Sequence, residues 1–105
     1  MSHFVSICKA ADLPEGSLLQ TELADGTPLC VANVDGRFLV IGGECTHAGG
    51  PLGEGQLEGL CVVCPWHDAS FDLESGEPRT PPAHEAVPTF RVRIEEGDVQ
   101  VEVDD

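Results

Sequence analysis

Residues 45–76 read CTHAGGPLGEGQLEGLCVVCPWHDASFDLESG, and this stretch governs how the rest of the chain is understood. Cys45-Thr46-His47 lies in one loop-like segment and Cys64-Pro65-Trp66-His67 in another, which gives the pattern C-x-H-x16-C-x-x-H. Residues 43–56 hold five glycines and one proline in fourteen positions. No regular element tolerates that composition, so the segment is a loop of the functional kind. Residues 57–64 return to strand character, residues 65–69 form a second loop, and residues 70–73 read as a short strand.

Working outward, residues 4–8 read as a strand and residues 10–16 as a helical turn that Pro14 and Gly16 end. Residues 17–23, 28–34 and 37–42 read as strands. Asp25-Gly26 and Asp35-Gly36 between them are strong hairpin signals, so the first forty residues are expected to form an antiparallel meander. Residues 74–84 are proline-rich. Residues 90–95 and 98–103 alternate cleanly around Glu96-Gly97 and predict a closing hairpin. The fold class expected is all-β. The 105 residues suffice for one domain, 1–105, whose site-bearing part spans about 43–76.

The net charge is −14, from 19 acidic and 5 basic side chains. Such a surface repels phosphate backbones and anionic lipid, which argues against nucleic-acid and membrane binding and favours a partner with a basic face. The N-terminus lacks a basic region followed by an apolar stretch, and no apolar run approaches the roughly 18 residues that span a bilayer. The compartment expected is therefore the cytoplasm. Thiols there stay reduced, and an odd count of five cysteines also argues against a disulfide framework.

Two thiolates and two imidazoles from two loops can hold metal. Tetrahedral zinc is one possibility. A zinc finger, however, pairs Cys with Cys and His with His, whereas each loop here supplies one of each. A [2Fe–2S] cluster with two thiolates on one iron and two histidines on the other calls for that pairing. The glycines would let backbone N–H groups approach the sulfurs. Cys61-Val62-Val63-Cys64 has redox-motif spacing but sits in a β-branched run, not at a helix start, so Cys61 reads as a strand residue. Cys8 and Cys30 read as small core hydrophobes, His3 as solvated, and His84 as a surface histidine.

CTHAGGPLGEG (45–55) and CPWHDASFDLESG (64–76) resemble the two cluster-binding boxes of Rieske-type ferredoxins, including the ferredoxin components of bacterial ring-hydroxylating dioxygenases. The resemblance runs through the whole chain. It implies stacked antiparallel sheets with a small cluster-binding subdomain. It implies Cys45 and Cys64 on the inner iron, His47 and His67 on the outer, and residues 76–82 packed over the cluster. It points to a one-electron carrier fed by a reductase and discharged to an oxygenase or similar acceptor; the sequence shows no general base, nucleophile or open substrate pocket for chemistry of its own, and a monomer is expected. The respiratory branch braces its loops with a disulfide; Gly50 and Trp66 stand at those places here. Ala69 and Phe71 replace that branch's hydroxyl donors, so the expected potential lies near the low end of the Rieske range, about −150 mV. Two other readings fit the motif: the small subunit of an assimilatory nitrite reductase, and a zinc-stapled interaction module. A domain cut from an oxygenase is disfavoured by the starting Met and the closing hairpin.

Overall fold

The computed structural model describes residues 2–46, 49–66, 69–79 and 85–104. Three antiparallel sheets account for its regular structure. The terminal sheet has the order β1-β10-β9, from β1 (Ser2–Lys9), β9 (Val92–Glu95) and β10 (Asp98–Asp104). The central sheet runs β2-β3-β4-β8, from β2 (Ser17–Glu22), β3 (Pro28–Val34), β4 (Arg37–Gly42) and β8 (Thr89–Phe90). The small sheet runs β5-β6-β7, from β5 (Gln56–Glu58), β6 (Cys61–Val63) and β7 (Ser70–Asp72). Single 3-10 turns occupy Ala10–Asp12 and Leu52–Glu54.

The stacking follows from β3. Successive strand side chains point to opposite faces. Leu29 and Val31 enter one buried cluster with Val99 and Val101 of the terminal sheet. Cys30 and Ala32 enter another with Val62 and Phe71 of the small sheet. The central sheet is thus buried on both faces, which is why residues 29–32 read as a continuous apolar run. Val40 and Ile41 of β4 divide the same way.

Asp35-Gly36 and Glu96-Gly97 both have positive φ at both residues, as two-residue hairpins require. Three sequence expectations need correction. The N-terminal strand does not join the meander: β1 pairs with β10 from Ser2↔Asp104 to Lys9↔Asp98, because Val5 and Ile7 pack on the Val99/Val101 cluster. Residues 57–64 are not one strand but parts of two, with a turn at Gly59-Leu60 (Gly59 φ 62). Residues 90–95 are not one strand either. They break at Arg91, where the chain leaves β4 for β10.

Candidate metal centre

Cys45 sits at the head of the first loop, just past β4. Its amide donates to the Gly50 carbonyl at 2.9 Å and its carbonyl accepts from the Gly49 amide at 2.8 Å, so the loop folds back on itself. The Leu52 amide donates to the Gly43 carbonyl at 2.9 Å and closes the wider loop. Cys64 follows β6 and its amide donates to the Ala69 carbonyl at 2.7 Å, closing the second loop as a tight hairpin.

Both thiols end in the core, each residue only 1 % exposed. Their wall is apolar: Leu52, Val62, Ala69 and Phe71 share the cluster of buried side chains. The loops meet at Gly50. A Cβ built there would lie 2.9 Å from Cys64 Sγ and 3.1 Å from Cδ2 of the Trp66 indole. So the first loop's backbone rests directly against the second loop's sulfur. His47, His67 and His84, and residues 80–82 of the expected proline loop, lie outside the described residues.

The parity of β6 separates the Cys61/Cys64 pair. Positions three apart on a strand face opposite ways. Val62 and Cys64 are buried, whereas Cys61 is half-buried on the other side. All five thiols are unbridged. Burial pushes the Cys30 thiol up to about 12, and burial followed by the Asp12 and Asp98 carboxylates raises that of Cys8. Both are quiet core thiols, as expected. His3, at the start of β1, is exposed. Gly50 and Trp66 do stand across from each other between the loops, and Ala69 and Phe71 are fully buried with no hydroxyl to offer.

Sequence reading missed Gln20, on β2. Its Nε2 donates to the Gly43 carbonyl at 3.0 Å and its Oε1 accepts from the Gly53 amide at 2.7 Å. One side chain therefore clamps both ends of the first loop to the central sheet. Leu18 shares its parity and packs toward the small sheet. A polar residue at a core-facing position of an apolar strand was the available signal. Thr46 adds a second fastening, its Oγ1 donating to the Glu85 carbonyl at 2.7 Å.

The charge distribution is uneven. Residues 43–76 carry six carboxylates (Glu44, Glu54, Glu58, Asp68, Asp72 and Glu74) and no Lys or Arg. Four basic side chains pair within the chain: Lys9–Asp98, Arg37–Glu74, Arg79–Asp72 and Arg91–Glu102. Arg93 lies over the Phe4 ring and bonds Gln100.

The donors fit an iron–sulfur cluster. Two buried, unbridged cysteines, one from each loop, share one core cluster and meet at Gly50, whose carbonyl accepts the Cys45 amide and beside which Cys64 Sγ lies. Among the described residues, no helix is long and apolar enough to cross a membrane.

Comparison with known proteins gives the same direction. The model of the Rieske [2Fe–2S] domain matches residues 3–91. The 3-phenylpropionate/cinnamic acid dioxygenase ferredoxin subunit of Escherichia coli (strain K12) is 37% identical over 98 residues, covering 91% of this chain and 90% of that protein. The Sphingomonas yanoikuyae B1 ferredoxin superposes with a TM-score of 0.91 at 29% identity, covering 97% of this chain and 100% of its own. The matching chain in the complex of reduced oxygenase and oxidised ferredoxin of carbazole 1,9a-dioxygenase has a TM-score of 0.87 at 31% identity. It covers 93% of this chain and 91% of its own.

Proposed function

Because this chain belongs to the Rieske [2Fe–2S] domain family and is an electron carrier rather than a catalyst, we propose that Cys45, His47, Cys64 and His67 hold its cluster. Cys45 and Cys64 would bind one iron, and His47 and His67 the other. The observation that carries this reading is the convergence of two buried cysteines from separate loops at Gly50. The bound cluster takes up and gives back one electron. The chain's own residues keep water from the sulfurs and present an acidic end to partners. Family membership sets aside the zinc-stapled module.

The relatives supply the partners by analogy. A ferredoxin 31% identical to this chain forms a complex with the oxygenase of carbazole 1,9a-dioxygenase. The acceptor proposed here is likewise a terminal oxygenase, and the donor a reductase. The chain would act as one cytoplasmic, monomeric domain spanning 1–105, its cluster held within 43–76. Four of the six carboxylates of that segment lie outside the Arg37–Glu74 and Arg79–Asp72 pairs, and this acidic surplus favours a basic docking face on both partners. Transfer rates should then fall as salt rises, and rates indifferent to salt would count against the docking model. If the chain copurified with a large sirohaem subunit, it would instead be a fixed part of a nitrite reductase.

The potential tests the low-range reading. Ala69 and Phe71 give the sulfurs no side-chain hydroxyl, so a redox titration should return about −150 mV. A midpoint above about +100 mV would overturn it.

A further inference from the structure

Position 50 is glycine for space, not for backbone freedom. Its φ lies outside the left-handed region, so an L-residue would meet no backbone strain there. What an added Cβ would meet is Cys64 Sγ at 2.9 Å and the Trp66 ring at 3.1 Å and 3.2 Å. The indole therefore rests on a buried glycine of the first loop while staying 58 % exposed on its other side. Gly50 is itself pinned, since its carbonyl accepts the Cys45 amide. A continuous packed path thus runs from the Cys45 backbone through Gly50 to Cys64 Sγ and Trp66.

We propose that Trp66, seated on Gly50, is a positioning residue that latches the second loop to the first and keeps water from the Cys64 sulfur. The latch does by van der Waals contact what a covalent bridge between the two loops would do. It rests on the reading that Cys45 and Cys64 are cluster ligands. The physical reason is close packing: a flat ring against a glycine excludes water, and truncating the ring opens a gap beside the sulfur. Water there favours the more negatively charged, reduced state.

The test uses the cluster-loaded full chain and three variants, Trp66→Ala, Trp66→Phe and Gly50→Ala. Release of the cluster is followed by bleaching of its visible absorbance, and the potential by titration. Trp66→Ala should release the cluster about tenfold faster and shift the potential upward. Trp66→Phe, which keeps a flat ring on Gly50, should recover most of both. Gly50→Ala should also speed release, since its Cβ cannot share the space with the ring and the sulfur. Should Trp66→Ala not fold, the Phe and Gly50→Ala variants still decide. Wild-type release and potential in Trp66→Ala and Gly50→Ala would overturn the latch, even if transfer to a partner slowed, because Trp66 would then serve docking alone. A wild-type protein without a mixed Cys/His cluster would overturn the ligand assignment instead.

Discussion

The first loop, residues 43–55, closes on itself and is also fastened by distant side chains, whereas the described part of the second, residues 64–69, is closed by its own hairpin. Gln20 and Glu85 hold the first loop, and they lie more than twenty residues away from their partners in sequence. Among the described residues, the bond that shuts the second loop is local, Cys64 amide to Ala69 carbonyl, just past strands that already pair. Both cysteines reach the same burial. The difference teaches that the first loop's geometry depends on the rest of the fold, while the second travels with its own hairpin. Remote substitutions should therefore loosen Cys45 before Cys64.

The largest effect is expected at the junction of the two. A Cβ at Gly55 would fall far inside the van der Waals contact distance of the Val63 carbonyl oxygen, on the strand that leads to Cys64. Gly55→Ala should cost about 3 kcal/mol in a denaturant unfolding experiment, since overpacking against backbone cannot be relieved by a rotamer change. A near-neutral result would mean the loop has room that the observed packing denies.

Gln20→Leu comes next and separates the loops. It keeps the side-chain bulk but leaves the buried Gly53 amide without its acceptor and removes the bond to Gly43. The loss should be about 2 kcal/mol, with hydrogen exchange rising in residues 43–55 and not in β6 or β7. Equal exchange in both loops would erase the comparison.

The smallest effect belongs to the approach from β7 to the proline-rich segment. The Ser75 amide first, then the Glu74 amide and the Arg79 guanidinium, hold the Asp72 carboxyl below the usual carboxylate range against the opposing effect of burial. A lowered folded value means stability that is present above the unfolded pKa of about 3.9 and lost as pH falls through the folded one. Asp72→Asn should flatten that acid-side loss and cost about half a kcal/mol at neutral pH, because the Arg79 partner is largely exposed. Urea unfolding at pH 7 and below pH 4 measures both.

The strands were legible because their alternation and Asp-Gly turns are local signals. Residues 17–42 and the closing hairpin at Glu96-Gly97 needed nothing else. The partner of β1 was not legible. An amphipathic strand states which face is buried but not which distant strand it joins, and here it joins β10. The turn inside 57–64 hid because Leu60 and Cys61 kept the apolar run going across Gly59. In the site, the cysteines and their loops followed from spacing and glycine content. Gln20 and the Trp66–Gly50 contact did not, since each depends on a neighbour brought near only by folding.

The measurement that bears most directly on the central claim is an EPR spectrum of the reduced protein. One Cys and one His from each loop predict the low average g value of mixed Cys/His ligation, with coupling to two imidazole nitrogens that falls to one when either His47 or His67 is replaced by a non-coordinating residue. A spectrum with the higher average g of four-cysteine ligation and no nitrogen coupling, or a colourless protein with no signal, would contradict it.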